Sequence, residues 1–216
     1  FNSISSGSVI DDYSIGFSSD GTSTSSFLGN GVDGVYATAT QVEQQTYATS
    51  YIPTDGTSVT RNQDVCTNGG SVSTINSTEG VLYAEINFLE YSVSANNQIS
   101  ISDGSSGNRI MIYAFSNTQL GLRFNSSGSQ LVTQTVTVSD LSIFSKIAVR
   151  WGGGNYTLYQ NGLEIYTQAI ASTPIGLDKL NFSSVTETLN FFGKTKCLAV
   201  WKEALSDENL AELTTI

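Results

Sequence analysis

"VLYAEINFLEY", residues 81–91, sets Leu82, Ala84, Ile86 and Phe88 against Tyr83, Glu85, Asn87 and Leu89. Successive side chains of extended chain point to opposite faces, so apolar residues at every second position fit a strand with one face in a core. The same period recurs further on. "RIMIYAF" (109–115) sets Ile110, Ile112 and Ala114 against Arg109, Met111, Tyr113 and Phe115. "QLGLRF" (119–124) repeats it with Leu120, Leu122 and Phe124, "KIAVRW" (146–151) with Ile147, Val149 and Trp151, and "CLAVW" (197–201) with Leu198 and Val200. Polar, glycine-rich turn clusters such as "SDGSSGN" (102–108) and "NSSGS" (125–129) separate these runs. Many short strands between such turns predict an all-β fold: an antiparallel sandwich of two sheets.

Two local signals sharpen this. In "NYTLYQNGLEIY" (155–166) the pair Asn161-Gly162 sits between two strand-like runs, and Asn-Gly best tolerates the positive φ angles of a type I′ hairpin turn. In "ALSDENLAELTTI" (204–216) Ser206 can cap a helix, Asp207 and Glu208 fall in its positive first turn, and Leu205 can staple onto Leu210. One short C-terminal helix is predicted there.

Residues 1–40 differ from the rest. They are dominated by Ser, Gly, Thr, Asp and Asn, which suggests irregular chain with a few short strands. Phe17, Phe27, Leu28 and Tyr36 nevertheless need burial, so an appendage of the main domain fits better than a free linker. "SYIPTDGTSVTRNQDVC" (50–66) reads as the seam: Pro53 lacks an amide donor and Asp55-Gly56 turns the chain.

Composition narrows function. The 216 residues hold 9 Lys and Arg against 19 Asp and Glu, a net charge of −10. That balance opposes nucleic acid and anionic membrane surfaces, which need clustered cations. No apolar run reaches the roughly 20 residues of a membrane span, so membrane insertion is not expected. The chain begins at Phe1 rather than Met, which reads as a processed or trimmed piece of something longer. Histidine is absent, which excludes Ser-His and Cys-His nucleophile pairs and imidazole metal sites within this chain. Only carboxylate chemistry is left for an enzyme.

Together, "TSYIPTDGTSVTRNQDVC" (49–66), "EGVLYAEI" (79–86), "SDGSSGNRIMIY" (102–113), "LGLRF" (120–124), "YTLYQNGLEI" (156–165) and "FFGKTKCLAVWKEALSDENLAEL" (191–213) resemble concanavalin A-like, laminin-G-like jelly rolls. Such domains occur in bacteriophage tail-fibre, spike and other virion proteins, and in bacterial surface or polysaccharide-processing proteins. The resemblance covers residues 46–216 and implies a jelly-roll domain there, with 1–45 an N-terminal extension or the remnant of a preceding β module. It implies a non-catalytic carbohydrate-binding module on a virion surface, extracellular in action. The implied partners are bacterial surface polysaccharide and other virion proteins, with a homotrimer as the usual fibre assembly. First and last strands of such folds are commonly neighbours, so Cys66 and Cys197 can meet; a disulfide and two buried free thiols both remain open.

Three sets of residues are candidates for chemistry. "EINFLE" (85–90) resembles the E-x-D-x-x-E strand of laminarinase- and carrageenase-like glycosidases, with Glu85 and Glu90 in the outer positions but Asn87 in the middle. Asparagine cannot supply the charge that tunes the flanking carboxyls, so no catalytic residue is assigned. Arg109, Arg123, Arg150, Tyr113, Tyr159, Tyr166 and Glu164 occupy strand positions opposite the core. One reading makes them a sugar-binding face, aromatic planes stacking on pyranose rings while Arg and Glu bond to hydroxyls or acidic sugars. The other pairs the arginines with Glu85 or Glu164 across strands. Asp103 and Asn108 could offer oxygens to a structural calcium, although ordinary turns explain them without a metal; no other cofactor is expected. A ligand-free virion spacer is the alternative function, and a glycosidase or lyase using Glu85 and Glu90 the second.

Overall fold

The computed structural model describes residues 41, 50–60, 69–91, 97–185 and 189–216. The chain divides into two compact units, Phe1–Gln63 and Asp64–Ile216. In the first, Asp55 (φ 42°) and Gly56 (φ 81°) form a turn closed by Thr57 N–H on the Thr54 carbonyl at 2.9 Å. Gln41 Oε1 accepts the Ile52 amide at 2.7 Å. The boundary at residues 45–46, the apolar residues expected to need burial before it, and Cys66 all lie outside the described residues.

The second unit is built from β1 (Gly80–Phe88), β2 (Gln98–Ser102), β3 (Arg109–Ser116), β4 (Gln119–Ser126), β5 (Ser129–Thr137), β6 (Ser145–Gly152), β7 (Asn155–Gln160), β8 (Leu163–Ala169), β9 (Lys179–Asn181), β10 (Gly193–Trp201) and one helix, α1 (Asp207–Thr214). A first sheet runs in the order β10-β1-β6-β7-β8 and a second in the order β5-β4-β3-β2-β9. Neighbours pair antiparallel throughout. This is a jelly-roll sandwich, with β1 and β10 side by side.

Alternation decides which side chains meet between the sheets. Leu82, Ala84, Ile86 and Phe88 of β1 join Ile147, Val149 and Trp151 of β6, Ile110, Ile112 and Ala114 of β3, and Leu120, Leu122 and Phe124 of β4 in one buried cluster. Leu198 and Val200 of β10 pack against it. Phe124 and Tyr156 cross the layers with ring centroids 5.2 Å apart. Burial pushes the Tyr156 phenol far up, and its hydroxyl has no hydrogen-bond partner among the described residues.

The outer side of the first sheet is also covered. Val81, Tyr83, Ala148 and Tyr159 form a second buried cluster with Leu210 of α1, joined by Leu205, Ala211, Leu213 and Trp201. Ser206 caps the helix, its hydroxyl accepting the Asn209 amide at 3.2 Å, with Asp207 and Glu208 in the first turn. The far end is stitched to the β7–β8 turn, where Thr214 Oγ1 accepts the Gly162 amide at 3.1 Å. That turn is Asn161-Gly162, with φ of 51° and 85°, the two positive angles a type I′ turn requires. Its Asn161 Oδ1 also accepts the Lys146 amide at 2.9 Å, tying the hairpin to β6.

Candidate functional site

The strands β3 and β4 carry the densest group of polar side chains without partners. In their antiparallel register Arg109 lies opposite Asn125, Met111 opposite Arg123, and Tyr113 opposite Gly121, all on the outer side of the second sheet. Arg109 and Arg123 are thus diagonal neighbours, a relation that places residues roughly 7–8 Å apart, within reach of long side chains. Thr133 and Thr135 of β5 flank them on one side, and Ser100 and Ser102 of β2 on the other. The Tyr113 ring lies over Gly121, where a β-carbon would come within 2.0 Å of the ring's Cζ. The Arg123 guanidinium sits 5.6 Å from the centre of that ring, a cation–π contact that fixes its plane.

Both arginines are half-buried, and neither has a hydrogen-bond acceptor or carboxylate among the described residues. The buried Nε of each, and Oδ1 of Asn125, are orphaned. Asn125 Nδ2 is spent on the Ser106 carbonyl at 2.8 Å, which aims the side chain. Burial, and then repulsion from Arg123, hold the Arg109 guanidinium below its ordinary value. Buried polar atoms normally find partners; these three have none among the described residues, and they lie among Met111, Ser100 and Ser102, each at most 1% exposed, so the patch offers a polar ligand its two half-buried guanidinium groups.

The remaining residues of the expected sugar face are elsewhere, and the single tyrosine-bearing face is corrected. Arg150, Tyr159 and Glu164 belong to the first sheet, at α1. Arg150 donates to Asp207 Oδ1 at 2.6 Å, to the Leu205 carbonyl at 3.0 Å and to Thr157 Oγ1 at 3.1 Å. It anchors the helix. Tyr159 donates to Glu164 Oε2 at 3.3 Å, and burial, with Asp207 and Glu164 adding to it, raises its phenol against the opposing pull of Arg150. Tyr166 packs against the core instead of standing opposite it. A register shift between Leu158 and Tyr159 is the reason: it pairs Tyr166 with inward Leu158 while Glu164 stays across from Tyr159. Tyr113 and Tyr159 are each only 5% exposed, so neither offers an open plane for stacking.

Glu85 and Glu90 do not form a facing pair. Glu85 is bound to Lys196 at 3.1 Å, and Glu90 is exposed past the end of β1. Asn87 between them tethers two segments, donating to the Ser142 carbonyl at 3.1 Å and accepting the Lys194 amide at 3.0 Å. Asp103 and Asn108 bond to one another at 2.9 Å. Asp103 Oδ1 takes the Ser105 amide at 2.8 Å, and Asn108 Oδ1 takes the amides of Ser127 at 2.9 Å and Ile175 at 3.0 Å. These bonds hold Asp103 below the usual carboxylate range although burial pushes the other way. Among the described residues no three His, Cys, Asp or Glu side chains cluster as a metal site, and no helix is long and apolar enough to cross a membrane. Cys197 is free and exposed, opposite Glu85.

Sequence reasoning missed Asn125, whose signal was its place in a turn cluster, and Lys179, which the three-residue strand β9 brings to the same sheet through its pairing with Ser102.

Residues 82–211 match the family profile described as the concanavalin A-like lectin/glucanases superfamily. No curated protein matches the chain. Among solved structures it is similar to the CBM40 of the Ruminococcus gnavus IT-sialidase bound to α2,6-sialyllactose, at 17% identity over 68% of this chain and 93% of that one, with a TM-score of 0.53. The heptameric SAP-like pentraxin of Limulus polyphemus matches at 15% identity over 68% of this chain and 74% of that one, with a TM-score of 0.50. The leech intramolecular trans-sialidase matches at 17% identity and a TM-score of 0.51, over 65% of this chain but only 24% of its own. At these identities the likeness is one of fold.

Proposed function

The chain belongs to the concanavalin A-like lectin/glucanase superfamily, and from that premise we propose that it is a non-catalytic carbohydrate-binding module whose reading face is the outer side of the second sheet. The observation that carries this is the patch of orphaned groups formed by Arg109, Arg123 and Asn125. Saccharide hydroxyls accept from guanidinium N–H groups, so a sugar ring seated on the two half-buried arginines gains charge-assisted hydrogen bonds. Solved neighbours with the same fold include modules bound to sialyllactose, which supports a sugar as the ligand. The pairing of Glu85 with Lys196 and the tether at Asn87 favour binding over hydrolysis.

The setting we propose is a phage virion, on the sequence resemblance alone. Repeated copies in a fibre would turn weak single-site contacts with bacterial polysaccharide into avidity.

A glycan array followed by calorimetry tests the binding reading. Hydrogen bonds to charged groups are worth about 1.5–3 kcal/mol, so Arg109→Ala and Arg123→Ala should each weaken binding by roughly 10- to 100-fold. Arg150→Ala, on the other sheet, should bind normally if folded. No glycan bound across diverse bacterial polysaccharides, or full binding by both patch variants, would refute the proposal.

A further inference from the structure

We propose that the group read on this face is an anion, a carboxylate or sulfate carried by an acidic saccharide and held between the guanidinium groups of Arg109 and Arg123. The inference rests on the carbohydrate-binding reading and narrows its ligand class.

The argument starts from charge. The chain carries −10 overall, yet none of the five strands of the second sheet contains Asp or Glu, while they hold Arg109, Arg123 and Lys179. The first sheet treats its cations in the opposite way. Both ion pairs among the described residues lie there, Arg150 with Asp207 and Lys196 with Glu85. A protein with twice as many acids as bases has no shortage of carboxylates to place beside an arginine. On the second sheet it places none.

The carboxylates nearest in sequence to this patch, Asp103 and Asp178, stand beyond the ends of β2 and β9 and pair with neither arginine. Asp103 is engaged within its own loop by Ser105 and Asn108. Two half-buried guanidiniums on adjacent strands therefore repel one another with no carboxylate beside them among the described residues. A neutral sugar could accept from their N–H groups but would leave the repulsion in place. An anion removes it, and its oxygens suit the planar, charged donors of two neighbouring guanidinium groups. The stacking of Arg123 on Tyr113, itself seated on Gly121, holds one guanidinium in position before a ligand arrives. Lys179 adds positive charge on the far edge of the sheet.

Glycan pairs that differ in one charged group test this. The 216-residue chain is titrated with 3′-sialyllactose and 3′-sulfolactose against lactose, and with hexagalacturonate against its methyl ester. Within at least one pair the charged member should bind tenfold or more tightly than the neutral one, and that preference should shrink severalfold between 50 and 500 mM salt. Carboxylate and sulfate are distinguished by which pair responds. Arg109→Gln with Arg123→Gln should abolish the preference, and the double lysine variant, which keeps the charge but not the planar guanidinium, should retain part of it. Thermal melts of both variants exclude misfolding as the cause. Neutral members binding as tightly as charged ones would overturn this inference and leave the carbohydrate-binding reading standing. No binding by any member would overturn the inference, and a blank result on the wider neutral array would bring down the parent reading as well.

Discussion

Trp151→Ala is expected to remove about 3–5 kcal/mol of stability, the usual range for emptying a fully buried tryptophan site. Trp151 has no exposed surface, and it fills the end of the core where β6 pairs with β1. Opposite it stands Gly80, where a β-carbon would lie 2.5 Å from the indole Cζ2, so the backbone there is shaped to the ring. The indole N–H also donates to the Asn76 carbonyl at 3.0 Å, holding the segment that leads into β1. Truncation would leave a cavity bounded on one side by rigid backbone, together with a carbonyl stripped of its donor. Domains of this size are stable by only about 5–15 kcal/mol, so roughly a fifth or more of the margin would go. Urea unfolding followed by Trp201 fluorescence measures it; an unchanged midpoint would contradict the packing described.

Leu210→Ala is expected to cost about 2–4 kcal/mol and to undock α1. An eight-residue helix is not stable alone in water; it persists because Leu210 is buried among Val81, Tyr83, Ala148 and Tyr159. Arg150 reinforces the dock, but its partner Asp207 is largely exposed, so that ion pair adds less than the leucine. The variant should be cut by protease near residue 203 under conditions in which the wild type is resistant, and it should expose an apolar sheet face that promotes association. Resistance equal to wild type would show that the helix is held by something other than Leu210.

The contrast between the two sheets explains which parts of the molecule could be read from sequence. β1, β3, β4, β6 and β10 are legible because each lies inside a sheet or against the core and must alternate strictly. β5 escaped notice because it is an edge strand rich in exposed Thr and Gln, and β9 because it is only three residues long. β2 hides in a polar segment whose serines are buried by bonding: Ser100 donates to the Ser183 carbonyl at 2.8 Å. The helix was legible to its cap residue, since Ser206, the acidic first turn and the Leu205–Leu210 contact are all local.

The site was half legible. Alternation places Arg109, Tyr113 and Arg123 outward, but it cannot say which sheet a strand joins. Arg150 and Tyr159 share that outward pattern, yet they belong to the sheet that α1 covers. Tyr166 turned inward because a one-residue register shift reverses every face beyond it, and nothing in "NYTLYQNGLEIY" announces that shift. The near-complete burial of Tyr159 comes from its packing with Leu210 of α1, which alternation along β7 does not show.

The most direct test of the account is an amide and arginine Nε–H chemical-shift map of the chain, titrated with the tightest-binding glycan. The account expects the largest changes at Arg109–Tyr113 and Gly121–Asn125, including both arginine side chains, with α1 and β10 silent. Changes concentrated on α1 and residues Cys197–Trp201, with β3 and β4 unmoved, would contradict it.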